Sequence, residues 1–420
     1  MTIHHRNWAG NTRFNPANFH QPNTIADLQE AIRKAKKVRA IGSRHCFNDI
    51  ADTAGDMFSL HNLDNKVTID HEHHMATVNA GMTYRELCPQ LHAAGYALHN
   101  MASLDHITVI GACMSATHGS GDAHGNLATA VSGLEMVTAN GDLRTLTRDK
   151  EGDQFLGAVV ALGALGVVTK VTLDLVPAFT IQQQAYQKLP MTYLEDAFDA
   201  IMSTGYSVSL FPTFQEDYID SIWVKQLIAE GEETSSATPS DVPWVPGGHI
   251  FGDPSDRQFT PMETPGPWHK RLPHFSFNDA LQEGNELQSE YFVARHHAVA
   301  ALKMVASFRE QLAPILSVAE IRTVAADKLW LSAAYEQDVV AIHFNWRKDW
   351  PNVKRFLSVL EEQFAPFKPR PHWGKLFTMT PAQVQAVYPR MADFQALANS
   401  YDPEGKFRNA YVDKYIFGAD

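Results

Sequence analysis

The sequence predicts an α+β protein of two domains, and three observations carry that prediction. The chain has 420 residues, enough for two or more domains at about 150 residues each. Up to about residue 178, helix signals alternate with short strand and hairpin signals. Beyond Pro177 the texture changes to longer strands separated by helices. The predicted division is 1–178 and 179–420, with the extreme C-terminus free to pack back on the first part.

The elements follow in order. Thr24-Ile-Ala-Asp-Leu-Gln-Glu-Ala-Ile-Arg-Lys-Ala has helical spacing, with Thr24 placed to cap it and Asp27 three residues on. Val38-Arg-Ala-Ile-Gly-Ser reads as a short strand entering a glycine turn. Lys66–Asp70 and Met75–Gly81 read as hairpin strands, and Thr83–Gly95 as a helix closed by glycine. Leu134–Leu146 is the clearest hairpin, its Asn140-Gly141 pair favouring a type I′ turn. From Ala158 the pattern is a helix, a glycine turn and a strong strand ending near Pro177. Helices are expected at Glu195–Met202 and Val353–Phe364. Residues 230–268, rich in Pro, Gly, Ser and Thr, read as a long surface excursion.

Charge and composition exclude several classes. The net charge of −12 argues against a nucleic-acid or anionic-membrane partner, either of which needs a basic face. Three cysteines, Cys46, Cys88 and Cys113, are not a disulfide framework. The N-terminus has no apolar signal-peptide core, and no stretch reaches the ~18 apolar residues of a membrane span. The expectation is a cytoplasmic enzyme.

Two glycine-rich segments stand out: Ala40-Ile-Gly-Ser-Arg-His-Cys-Phe-Asn48 and Gly111-Ala-Cys-Met-Ser-Ala-Thr-His-Gly-Ser-Gly121. Small residues let backbone N–H groups close around a pyrophosphate; plain tight turns read equally well. Neither segment has the G-x-G-x-x-G spacing of a Rossmann fingerprint, because the glycine after Gly119-Ser-Gly121 falls at 125.

Two strands of the second half carry polar groups at alternate positions. In Pro314–Val324, Glu320 and Arg322 share one face, with Ala319, Ile321 and Thr323 on the other. In Val339–Trp346, His343 and Asn345 share a face opposite Ile342 and Phe344. A solvated face or a structural ion pair would give this pattern. Charges set in strongly apolar β sequence are costly to bury unless paired or functional, and His372-Trp-Gly-Lys375 adds a further histidine and lysine.

Taken together, Asn7-Trp-Ala-Gly-Asn11, Gly42–Thr53, Ala102-Ser103, Ala116-Thr-His-Gly-Ser-Gly121, Gly163–Val168, His372–Lys375 and Asp402-Pro-Glu-Gly-Lys-Phe407 resemble the vanillyl-alcohol-oxidase-type flavoproteins, and within them the bacterial alditol oxidases. The resemblance runs nearly end to end. It implies a PCMH-type FAD-binding domain and a substrate domain built on an antiparallel sheet flanked by helices. It implies FAD held covalently by His45 and lined by Ala40, Ile41, Gly42, Ser43, Arg44, His45, Cys46, Ser103, Thr108, Gly111, Ser115, Ala116, Thr117, His118, Val167, Val168 and His372. Cys46 is read as a small core-facing residue, not a second linkage, and Ala102 as the small residue that leaves room for dioxygen. The substrate set implied is Ser103, Glu320, Arg322, Asn345 and Lys375, with Glu320, Arg322, His343 and Lys375 catalytic.

The implied reaction is oxidation of a primary hydroxyl of a small polyol by hydride transfer to the flavin. Dioxygen is reduced to hydrogen peroxide by a monomer without metal. Two positions depart from the family pattern: Asn345 where threonine is expected, and Asp105 where proline is expected. They open the choice of substrate. The alternatives are an aldonolactone oxidase or dehydrogenase of the same superfamily, or a metal-binding protein built on the 20 histidines, with His71-Glu-His-His74 as its cluster.

Overall fold

Thr24 starts the first helix as the sequence requires: its side chain accepts from Asp27 N at 3.1 Å, and helix α1 (Ile25–Lys34) buries Leu28 and Ile32 one turn apart. The computed structural model describes residues 6–229, 242–247, 259–275 and 284–419. Helix α2 (Tyr84–Ala93) opens on a capping box between Thr83 and Glu86, and Gly95 follows it at φ +85°.

Among the described residues the N-terminal part holds two larger sheets and a two-stranded one that pairs Tyr96–Ala97 with Val176–Pro177. Strands β1 (Asn18–His20), β2 (Val38–Ala40) and β3 (Asp56–Phe58) are parallel in the order β1–β3–β2. Strands β4 (Thr68–Asp70), β5 (Met75–Asn79), β6 (Val131–Val137), β7 (Leu143–Thr147) and β8 (Val167–Asp174) form an antiparallel sheet in the order β4–β5–β8–β6–β7. The hairpin β6–β7 is where expected, but its turn is not type I′. Only Gly141 has positive φ, +82°, whereas a type I′ turn needs it at both central residues. The loop is one residue wider, with Thr138 N bonded to Asp142 O and Gly141 N to Thr138 O. The helix expected to begin at Ala158 is also displaced: α3 spans Asp153–Val159 and ends there. The apolar run beyond it, Val160 to Leu165, is buried core in turn conformation.

The C-terminal part is built on one sheet, nine-stranded among the described residues. Its long strands are β9 (Thr180–Gln187), β10 (Ser207–Phe211), β11 (Ser221–Ile228), β12 (Glu286–Ala294), β13 (Leu316–Val324) and β14 (Val339–Arg347). They lie in the order β9–β11–β10–β13–β14–β12, with the short β15 (Arg370–Pro371) beyond β12. Every pairing in it is antiparallel. Two fragments of the expected excursion, Val245–Pro246 and Gly266–Pro267, pair with β9 at the sheet edge. Residues 230–241 and 248–258 of that excursion lie outside the described residues.

One face of the sheet is covered by helices. Phe356 of helix α4 (Trp350–Phe364) meets Trp346 of β14, and Tyr291 of β12 donates to Glu361 of the same helix at 2.5 Å. The other face turns toward the N-terminal part, so β13 and β14 are buried on both faces.

The chain end returns to the first part. Val38 N bonds to Lys406 O, and buried Arg39 donates to Phe407 O at 3.0 Å, to Leu162 O at 2.8 Å and to Ile50 O. The Asp402 carboxylate accepts from Lys406 N and Phe407 N, and Gly405 at φ +67° closes that turn. The Asp402–Phe407 motif is therefore a docking turn.

Candidate functional site

The first glycine loop is held in place by the Asn7–Asn11 motif. Asn7 Nδ2 donates to Cys46 O at 2.9 Å, Asn11 Nδ2 to Phe47 O at 2.7 Å, and Trp8 N to Arg44 O at 2.8 Å. Arg44 adopts φ 60°, which turns the loop sharply before His45. The second loop has a matching turn at Ala116, φ 54°. Thr108 joins the two: a Cβ on Gly42 would collide with its Oγ1, and one on Gly111 would lie 2.6 Å from it. Both glycines expose their backbone although their neighbours Ile41 and Ala112 are buried. Exposed backbone on two abutting glycine loops is what a pyrophosphate-bearing cofactor needs. Val167 and Val168 are buried in β8, and Ser115 donates to Gly111 O at 3.0 Å within the second loop.

His45 lies 4.7 Å from the Trp8 ring and 5.3 Å from the His106 ring. Its Nδ1 is shielded from solvent and has no hydrogen-bond partner. Burial, with His106 and Lys375 nearby, holds its pKa well below the ordinary histidine value. The ring is therefore held neutral. An orphaned buried nitrogen at this position fits a flavin. Cys46 is partly buried, and its thiol is pushed up to about 11 by burial, so it is no thiolate.

The second half meets the first through the His372–Lys375 segment. His372 N bonds to Glu290 O and Leu376 N to Gln288 O, which ties the segment to β12. On its other side Phe47 N bonds to Gly374 O, and Asn48 Nδ2 donates to both Trp373 O and Lys375 O at 2.8 Å. A Cβ at Gly374 would lie 3.0 Å from Cys46 Sγ, so glycine permits the approach. Lys375 Nζ donates to Gln288 Oε1 and sits 5.2 Å from the Phe47 ring centroid. His372 accepts from Gly374 N at 3.0 Å through Nδ1, which puts its proton on Nε2, and burial pushes its pKa down to about 3.

The alternation read from β13 and β14 is realised, and the register brings the two strands' polar residues together. Glu320 faces His343 across the pair, and His343 faces Glu290 of β12. Arg322 Nη2 donates to Glu290 Oε1 at 2.9 Å, its Nε lies 3.5 Å from Glu320 Oε1, and its Nη1 reaches Ser103 Oγ at 3.4 Å. His118 Nε2 is 3.0 Å from Glu290 Oε1, so the second glycine loop is tied to the same carboxylate. Glu320, Arg322, His343 and Glu290 are all buried. Burial alone would raise the Glu320 pKa, but Arg322, His274 and His343 hold it well below the carboxylate range. Both ring nitrogens of His343 and Asn345 Oδ1 are buried without a hydrogen-bond partner. Burial and Lys375 keep the His343 ring neutral. Unsatisfied polar atoms converging on one side of a sheet mark a place for a polar ligand.

Asp105, the other departure, is engaged elsewhere: Arg85 donates to its Oδ1 from Nε at 3.1 Å and from Nη2 at 2.6 Å. Ala102 is buried beside Ser103. The His71–His74 cluster caps the β4–β5 turn, where His73 pairs with Asp70, and His71 and His74 approach the Tyr96 hydroxyl. Among the described residues no group of three or more His, Cys, Asp or Glu is arranged to hold a metal.

Sequence reasoning missed Glu290, Gln288, Lys225 and His274. Glu286-Leu-Gln-Ser-Glu290 shows the same alternation as the two strands that were recognised. Lys225 is one charge inside an otherwise ordinary strand. His274 lies on a segment with no periodicity, so nothing local marks it.

Comparison with known proteins agrees with this arrangement. The family model described as an FAD binding domain matches residues 16–147, and that of D-arabinono-1,4-lactone oxidase matches residues 285–415. The chain is 41% identical to an alditol oxidase of a Streptomyces species, over 98% of this chain and 99% of that one. It is 29% identical to the L-gulono-1,4-lactone dehydrogenase of Mycobacterium tuberculosis over 98% of both chains. It is 26% identical to the L-gulonolactone oxidase of Mus musculus over 99% and 98%. Among solved structures, a solvent-stable cholesterol oxidase superposes with a TM-score of 0.77 at 16% identity, over 97% of this chain and 96% of that one, which shows the shared two-domain fold. No helix among the described residues is long and apolar enough to cross a membrane. The chain belongs to the vanillyl-alcohol-oxidase-type FAD flavoproteins, in the group that contains the alditol and aldonolactone oxidases.

Proposed function

We propose that this protein is an FAD-dependent oxidase that converts a primary hydroxyl of an alditol to the aldehyde of the aldose and reduces dioxygen to hydrogen peroxide. The observation that carries the proposal is buried Glu320, Arg322 and His343 with partly buried Lys375, gathered on one side of a sheet opposite Ser103 and the two glycine loops. The division into 1–178 for FAD and 179–420 for substrate belongs to the same reading, as do a monomeric state and a cytoplasmic location. We further propose that FAD is bonded to His45.

Bound FAD supplies the acceptor for a hydride and returns the electrons to dioxygen. The chain's residues do the rest. Glu320, kept ionised, accepts hydrogen bonds from adjacent hydroxyls of the polyol. Arg322 and Lys375 orient the reacting hydroxyl and balance negative charge, with Ser103 completing the grip. His343 is neutral, has no competing partner, and takes the hydroxyl proton. Asn345 offers a free acceptor where the family pattern has threonine, so a donor on the distal end of the polyol is recognised there.

A substrate panel tests the reading. Xylitol and sorbitol are expected to yield stoichiometric peroxide, with gulono- and galactono-lactones at least about tenfold poorer in kcat/KM. The second reading, an aldonolactone oxidase or dehydrogenase, has the match of residues 285–415 in its favour. It predicts the reverse order.

A further inference from the structure

Beneath the proposed substrate set lies a pair of residues that the reaction itself does not use. We propose that Lys225 and His274 form a positioning pair that fixes Glu320 and Ser103, the two sides of the polyol cradle, and thereby sets affinity for the substrate's adjacent hydroxyls. This rests on the alditol reading above.

The hydrogen-bond inventory is closed. Lys225 Nζ meets Leu272 O, Pro273 O at 3.2 Å and His274 Nδ1 at 3.1 Å. Glu320 is held ionised and an ionised carboxylate only accepts, while burial keeps the His274 ring neutral, so the ring nitrogen that faces Glu320 carries the single ring proton. His274 Nδ1 must then be the lone-pair nitrogen, with the ring proton on Nε2. That nitrogen donates to Glu320 Oε1 at 2.7 Å. Lys225, donating to that lone pair, stabilises the tautomer through which His274 holds Glu320. The backbone of the same histidine works on the opposite side: His274 N bonds to Ser103 O at 3.0 Å, and Phe275 N to the same oxygen at 3.2 Å. One residue therefore holds Glu320 by its ring and Ser103 by its main chain.

The arrangement is costly, which argues against a packing role. Lys225 is 1% exposed and His274 4%. Among the described residues no carboxylate is in ion-pair contact with Lys225; Glu320 is one imidazole away. Burial pushes the Lys225 pKa well below its ordinary value, and a buried lysine head group is destabilising unless its hydrogen bonds are used. Here its hydrogen bond to His274 Nδ1 fixes the ring that holds the carboxylate. Arg322, at 3.5 Å, and His343, at 3.8 Å, also face Glu320, with Glu290 behind them on β12. Arg322 keeps Glu320 charged when His274 is removed, but the carboxylate's other side is left unrestrained. Loss of the pair therefore weakens binding without touching the proton acceptor.

The test is anaerobic mixing of FAD-loaded protein with xylitol, for wild type, Lys225→Met, His274→Leu, His274→Asn and His274→Gln. Flavin absorbance and melting temperature report the fold. Lys225→Met and His274→Leu are expected to raise the half-saturating xylitol concentration by about tenfold or more, with the limiting reduction rate within about threefold of wild type. His274→Gln recovers most of the affinity, because its amide nitrogen takes the place of Nε2, whereas the shorter Asn does not reach Glu320. Unchanged half-saturation in these variants overturns the proposal. So does loss of the limiting rate with no difference between Gln and Asn. A wild type that no alditol bleaches is a separate result and overturns the alditol reading together with the positioning pair.

Discussion

Lys375→Met is expected to slow flavin reduction by xylitol about 10²–10⁴-fold while the protein stays folded and yellow. The lysine is partly buried, yet its carbonyl and chain are held by Asn48 and its ammonium by Gln288, so the backbone does not depend on its charge. Removing it takes away a cation beside His343 and, in the proposed reaction, the donor that orients the reacting hydroxyl. The pH profile carries the second half of the expectation. In the proposed reaction His343 works as the neutral form, and burial with Lys375 beside it lowers its pKa, so the acid limb of reduction is expected below 6.5. Lys375 works protonated, and burial lowers its pKa from 10.5, so the alkaline limb lies below that value. In Lys375→Met the alkaline limb should vanish and the acid limb should move up, because the lysine no longer disfavours the imidazolium. Rapid-mixing absorbance from pH 5 to 10 measures both.

Arg322→Met should combine lost affinity with lost stability. The guanidinium lies between Glu290 and Glu320, each nearly excluded from solvent, and it is the cation nearest both. Removing one member of a buried charge network costs about 3–5 kcal/mol. The two carboxylates left behind lose what lowers their pKa. A folded pKa that is depressed contributes stability above the unfolded value and loses it as pH falls through the folded value. Wild type should therefore keep this contribution from neutral pH down to below 4.5, and the variant should lose part of it across that whole range. Arg322→Lys should recover charge but not the fork that serves Glu290, Glu320 and Ser103 together. Denaturant melts at several pH values, with half-saturation by xylitol, separate the two effects.

Much of this site was legible because β-strands write their faces into sequence. Alternation placed Glu320 with Arg322 and His343 with Asn345, and the register joined the two pairs. The same rule read on Glu286–Glu290 would have found Gln288 and Glu290. What alternation cannot say is which strands are neighbours, so the pairing of Glu290 with Arg322 and His118 came only from the structure. The Asn7–Asn11 and Asp402–Phe407 motifs were recognisable by resemblance, and their physical role emerged as clamps on the first loop and on β2. His274 was invisible because its role depends on a ring nitrogen and a main-chain N–H that meet residues more than forty positions away. The type I′ turn failed for a local reason: the wider loop lets Gly141 alone carry the positive φ.

Acid precipitation of the purified protein tests the central claim, that the two glycine loops carry a flavin bonded to His45. The predicted result is a yellow pellet whose fluorescence stays with the polypeptide, and a His45→Ala protein whose flavin is released to the supernatant. A wild-type pellet that is colourless, with all the flavin in solution, would contradict it.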